Sequence, residues 1–138
     1  MELHPNYWLA HFFWGLTYEQ QGDLARALAE LEKSKSLGDS PWRLGGLGHA
    51  YALAGMRAEA EQVLAELRAL AAERYVSPYH SALVYAGLGE NDRAVEWLEK
   101  AFQDRSWLVT CLGVDPLLDG LRSDSRFQEL LRRLGLPP

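Results

Sequence analysis

The sequence predicts an all-α fold, a right-handed α-solenoid of three stacked helix pairs followed by a C-terminal helical cap. Two observations support this prediction. A pattern of small residues and tyrosine recurs at a spacing of 33 and then 34 residues, at Gly15/Tyr18/Gly22/Ala27, Gly48/Tyr51/Gly55/Ala60 and Ala82/Tyr85/Gly89/Ala94. The final residues then depart from the pattern, as a terminal unit must do to cover the last apolar face of a solenoid.

Each member of the pattern has a role in packing two helices. The first small residue lies mid-helix, where two helices approach closely, and the tyrosine three residues later shares its face. The second glycine ends the first helix, because glycine adopts the left-handed conformation at low cost. The alanine begins the apolar face of the second helix, which continues four residues on at Leu31, Leu64 and Leu98. Helices are predicted at 8–21, 24–37, 42–54, 57–73, 78–88 and 91–104.

The chain resembles the tetratricopeptide repeat (TPR) family in the runs WGLTYEQQGDLARALAEL, LGHAYALAGMRAEAEQVL and ALVYAGLGENDRAVEWL. The family pattern is W-x2-L-G-x2-Y, a glycine turn, A-x3-F and a closing proline. The sequence departs from it by lacking the closing proline and by placing His11, Leu44 and Pro78 at the first aromatic position. The resemblance implies one TPR domain over 1–138, with repeats at 8–40, 41–74 and 75–106 and a cap at 107–138.

The N-terminal end suggests a further repeat. Pro5 occupies the closing-proline position of a preceding unit, of which residues 5–7 would be the end. We therefore expect the natural protein to continue upstream of Met1. The alternative is that Pro5 only marks the start of the first helix.

The C-terminal end predicts a capping helix. Its apolar stripe has helical spacing, and either a capping box from Ser125 or an N-cap at Asp124 could start it. Gly135 is expected to end it. The stripe consists of Phe127, Leu130, Leu131 and Leu134.

The same tail resembles the end of TPR arrays in bacterial multidomain signalling proteins. The matching segments are Trp107-Leu108-Val109, Val114-Asp115-Pro116, Leu121-Arg122-Ser123-Asp124 and Arg126-Phe127-Gln128. Gly120 and Ser125 depart from the motif, which commonly has proline at both places. The resemblance implies a C-terminal array behind a kinase, adenylate-cyclase or winged-helix domain, without saying which.

Composition excludes several function classes. The net charge is −5, and 14 basic residues are scattered among 19 acidic ones, which argues against a nucleic-acid partner. The single cysteine forms no internal disulfide, as expected in a reducing compartment. The start MELHPNYW is not a secretory signal, and no stretch reaches the roughly 18–20 apolar residues of a membrane span. We therefore expect a cytoplasmic location and no membrane partner.

No catalytic or metal-binding motif stands out. Cys111 lies in the apolar run WLVTCLGV, distant from every histidine, and is expected to be a small buried residue. The spacings HxxxH and CxxC are absent, as are phosphate-binding glycine motifs. Acidic pairs such as Glu59/Glu61 and Glu96/Glu99 fall at solvent-facing positions. We therefore expect neither an enzyme nor a bound cofactor or metal.

The resemblance further implies a concave face, defined as the side lined by the first helix of each pair. Family positions two, five, nine and twelve correspond here to Leu9, Phe12, Leu16 and Glu19, to Trp42, Gly45, His49 and Ala52, and to Val76, Tyr79, Leu83 and Ala86. The face is mostly apolar and lacks the Lys, Asn and Arg that bind terminal carboxylates in one TPR subgroup. A partner peptide, the chain's own tail or a second copy could cover it.

Two functions follow as hypotheses. The first is a non-catalytic protein-interaction scaffold that binds a peptide or helix through the concave face, with Phe12, Trp42 and Tyr79 as aromatic anchors. The second is a self-association module that forms a homodimer through this face or through the N-terminal edge near Trp8 and Phe13.

Overall fold

The computed structural model describes residues 8–36, 41–104 and 116–135, and this part of the chain contains helices and turns without a strand. Six helices form three antiparallel pairs, and a 3₁₀ helix and a seventh α-helix follow. Their bounds are α1 Trp8–Gln20, α2 Leu24–Ser36, α3 Pro41–Leu53, α4 Arg57–Glu73, α5 Pro78–Gly87, α6 Asn91–Gln103, the 3₁₀ helix Pro116–Leu121 and α7 Ser125–Arg133. The ends of α1 to α6 lie within one residue of the predicted ones. No helix in the described ranges is long and apolar enough to span a bilayer.

The tyrosine-to-glycine spacing of the repeat has a backbone explanation. Each second glycine has a positive φ, namely 82° at Gly22, 77° at Gly55 and 75° at Gly89. The residue after each glycine donates its backbone N–H to the carbonyl of the repeat tyrosine. These hydrogen bonds are Asp23 to Tyr18 at 2.9 Å, Met56 to Tyr51 at 2.9 Å and Glu90 to Tyr85 at 3.1 Å. These are the hydrogen bonds of a Schellman turn, so the same turn ends the first helix of every pair.

Small residues allow the helices to approach closely. A Cβ atom built on Gly48 of α3 would lie 2.6 Å from Cγ2 of Val84 and 2.9 Å from Cγ1 of Val63, so this glycine fits between α5 and α4. The alanines of the pattern, Ala27, Ala60 and Ala94, are completely buried. The predicted packing role of the pattern is therefore confirmed.

The two central first helices are buried on all sides. Every residue from 43 to 50 in α3 and from 79 to 85 in α5 is buried. A helix that is apolar around its whole circumference is stable in water only when other elements surround it. The outer helices α4 and α6 have one buried face each, so α3 and α5 form the centre of the described fold.

The N-cap residue of the capping helix α7 is Asp124, and Ser125 is the first residue of the helix and forms no capping box. The Asp124 carboxylate accepts a hydrogen bond from the Arg126 backbone N–H over 2.9 Å. Hydrogen bonds from Arg126 lower the pKa of Asp124 to about 2. Phe127, Leu130 and Leu131 are buried, which confirms the apolar stripe.

Side-chain links join α7 to α6. Arg133 donates to Glu99 over 2.7 Å, and Arg126 pairs with Asp92 over 2.8 Å. Gly135 follows α7 with a φ of 75°, as expected for a helix end. The predictions for residues 4–6, 107–109, 114–115 and Cys111 lie outside the described residues.

We expect Ala60→Trp to destabilise the protein strongly. Ala60 is completely buried where α4 meets the core, and overpacking such a position costs about 1–3 kcal/mol or more. The matched control is Ala58→Trp, two residues earlier on the exposed side of the same helix. Chemical denaturation of both variants measures the difference, and equal midpoints for the two would contradict the assigned packing.

Candidate binding face

The residues predicted for the concave face differ in how far solvent reaches them. Trp42 is 38% exposed, while Leu16 and Val76 are half-buried. Leu9 and Phe12 lie in the first turns of α1, and their side chains are outside the described part, as are those of Trp8 and Phe13. Ala52 and Ala86 are half-buried as well, and the other members, Glu19, Gly45, His49, Tyr79 and Leu83, are buried.

Glu19 and His49 form a buried polar pair on this otherwise apolar face. Oε1 of Glu19, in α1, lies 2.6 Å from Nδ1 of His49, in α3, and their side chains are 1% and 6% exposed. The other ring nitrogen, Nε2, lies 2.9 Å from the backbone carbonyl of Leu117. A carbonyl only accepts hydrogen bonds, so Nε2 donates, and the Glu19 carboxylate lies on the opposite side of the ring.

The 3₁₀ helix of the tail packs against α5. Leu117, Leu118 and Leu121 are buried in the same apolar cluster as Tyr79 and Leu83. Tyr79 is 1% exposed, so in this conformation its ring offers almost no surface to an outside molecule. Of the occupants considered from the sequence, the chain's own tail lies against this part of the face.

Trp42, at the N-terminal end of α3, contacts the buried His80 of α5. The rings of Trp42 and His80 are edge-to-face, with centroids 5.4 Å apart. Burial lowers the pKa of His80 to about 4, so this ring is neutral at pH 7. Gly45 was expected to face the groove, but a Cβ atom there would lie 3.3 Å from Cβ of His80. Gly45 therefore serves the approach of α5 to α3.

Salt bridges join the second helix of each pair to the second helix of the next pair or to the residue just before it. Lys35 of α2 pairs with Glu66 of α4 over 2.9 Å, and Arg57 of α4 pairs with Glu90, just before α6, over 3.1 Å. Such exposed pairs contribute little to stability. Among the described residues, no group of three or more His, Cys, Asp or Glu side chains could hold a metal ion.

Helix pairs that end in identical glycine turns and stack through small residues define a helical repeat protein. Models of the tetratricopeptide repeat family match residues 8–33, 41–66 and 79–103, which together are more than half of the chain. The chain therefore belongs to the tetratricopeptide repeat family. Comparison with curated proteins and with solved structures gives no match. Repeats of this family are generally non-catalytic modules of protein–protein interaction, so the family implies a protein-interaction function.

Sequence reasoning placed Glu19 and His49 on the same face but missed their contact. The sequence contained a signal for it, because these are the only members of the predicted concave-face set whose side chains can carry a charge near pH 7. Gly87 was also missed. A Cβ atom there would lie 2.9 Å from the backbone oxygen of His49, so α5 contacts the α3 backbone directly.

Stability should fall on acidification because of His80. Burial lowers its pKa from the 6.5 of an ordinary histidine to about 4 in the fold, so below pH 6.5 the unfolded chain binds the proton first. The loss begins near pH 6.5, is complete below about pH 4, and amounts to about 3 kcal/mol. Denaturation at a series of pH values measures it. His80→Gln should flatten the slope in this window, and an unchanged slope would assign the pH dependence to other groups.

Proposed function

We propose that this protein is a non-catalytic interaction scaffold that binds an apolar peptide or helix through its concave face. The supporting observation is that an apolar segment of the chain itself, the 3₁₀ helix Pro116–Leu121, already lies against α5 and accepts a hydrogen bond from His49 of α3. A face that holds such a segment has the shape and chemistry to hold another.

The part of the face left to an outside partner includes Trp42. Trp42 lies in the first turn of α3, and the residue is 38% exposed, with its ring edge-to-face against His80. Aromatic rings that are partly exposed and rigidly supported are common anchors of protein interfaces. Tyr79 was grouped with Trp42 as an anchor, but its burial makes Trp42 alone the better site to test.

The wider context belongs to the same proposal. The tail segments Leu121-Arg122-Ser123-Asp124 and Arg126-Phe127-Gln128 resemble the end of repeat arrays in bacterial signalling proteins. We therefore propose a cytoplasmic bacterial protein in which these repeats are the C-terminal part.

The test is Trp42→Ala, measured against peptides selected from a displayed random library with the unchanged chain. We expect the affinity to fall about 30-fold, since an aromatic anchor commonly contributes about 2 kcal/mol. Tyr75→Ala is the matched control, because Tyr75 is 67% exposed between α4 and α5 and lies outside the tested end of α3. Fluorescence anisotropy with the selected peptides measures both, and equal affinities for the two variants would rule out this end of the face.

Self-association is the second candidate, supported by the exposure of a tryptophan on the N-terminal helix. Trp14 of α1 is 46% exposed. If copies pair through α1, light scattering gives a dimer mass for the unchanged chain and a monomer mass for Trp14→Ser. Leu53→Ser, at the exposed end of α3, is the control and should remain dimeric. A monomer mass for the unchanged chain eliminates this candidate.

A further inference from the structure

The 3₁₀ helix Pro116–Leu121 reaches further along the stack than covering the last repeat requires. In a repeat protein each unit contacts its immediate neighbours. A cap on the last pair therefore needs to contact only α5 and α6. The carbonyl of Leu117 nevertheless lies 2.9 Å from Nε2 of His49, which belongs to α3 in the pair before. The segment therefore lies across the side lined by the first helices.

This segment is partly buried and partly open to solvent, as a bound peptide is. Leu117, Leu118 and Leu121 are buried in the cluster that contains Tyr79 and Leu83. Gly120 is exposed, and no atom lies within 4 Å of a Cβ atom built on it. The three leucines thus enter the apolar face, while the backbone at Gly120 is open to solvent.

The polar contact recognises the main chain of the segment. His49 donates to a backbone carbonyl, a group that every residue type carries. Oε1 of Glu19 lies 2.6 Å from the other ring nitrogen, so the ring is enclosed between this carboxylate and the segment. The leucines select the side chains, while the histidine sets the position of the backbone. This division of roles is that of a peptide-binding groove.

We infer that residues 116–121 are an intramolecular ligand of the concave face. An outside partner on this part of the face is then a leucine-rich segment that displaces them and presents a main-chain carbonyl to His49. The inference rests on the proposed function, because it names the partner for the same face. The apparent affinity for such a partner is reduced by the fraction of molecules in which the tail is released.

Hydrogen exchange of the unchanged full-length chain tests whether the segment opens independently. We expect the backbone amides of 117–121 to exchange at least about tenfold faster than those in the middle of α3 and α5, since a ligand-like element opens without global unfolding. Exchange of 116–121 at the rate of these helices would show that the segment is an inseparable part of the core, and the inference would be overturned.

Peptide binding tests whether the vacated face accepts the same chemistry in trans. The probe is a fluorescently labelled peptide of residues 116–124 with blocked ends. We expect Leu117→Ala to bind it at least about tenfold more tightly than the unchanged chain, because the internal competitor is weakened. The matched control is Leu130→Ala, the same change in α7, which packs against α6. It should gain no affinity, and circular dichroism should show unchanged helix content in both variants.

The outcomes separate the inference from the proposed function. Equal gains for Leu117→Ala and Leu130→Ala, or no gain for either, overturn the inference. The proposed function fails on a different result, namely selected peptides that bind Trp42→Ala and Tyr75→Ala equally well. A gain confined to Leu117→Ala, together with independent exchange of 116–121, supports the intramolecular ligand.

Discussion

The close approach of α5 to α3 is the contact on which the rest of the fold depends. Gly87 lies against the backbone oxygen of His49, and Gly48 receives the side chain of Val84. A methyl group at either glycine would come within 3 Å of its neighbour, a separation that packed atoms do not tolerate without moving apart. Because these two helices are buried on all sides, a shift between them would also move α4, α6 and the tail. Glycine's low helix propensity is the cost of this contact, about 1 kcal/mol for each residue.

The sequence predicted the six repeat helices because local chemistry and packing agree in every repeat. The tyrosine carbonyl, the glycine φ and the buried alanine are parts of one turn and one helix crossing, so their spacing carries the structure directly. From the sequence, either Ser125 or Asp124 could be the N-cap of α7, since both residue types cap helices. Arg126 accounts for the outcome, because its side chain also pairs with the Asp124 carboxylate and so favours that residue in its ionised form.

The candidate site was less predictable, because a repeat pattern describes how neighbouring units pack and says little about a segment that crosses them. The register assigned Glu19 and His49 to one face, and their side chains come within 2.6 Å of each other. It could not show that Leu117, 68 residues beyond His49, would accept a hydrogen bond from that ring. Nor did the register distinguish an exposed aromatic from one covered by the tail, which is why Trp42 and Tyr79, at positions two and five of their repeats, have such different exposures.

The buried Glu19–His49 pair is better explained by specificity than by stability. Removing polar groups from water costs free energy that a buried pair regains only with good geometry and further hydrogen bonds, so apolar replacements are often at least as stable. The His49 ring does provide direction, because its Nε2–H points toward a carbonyl on a face that otherwise offers mostly apolar contacts. Leucine side chains alone could bind such a face in several registers. A single oriented donor removes this ambiguity for the tail, and it would do the same for any segment that takes the tail's place.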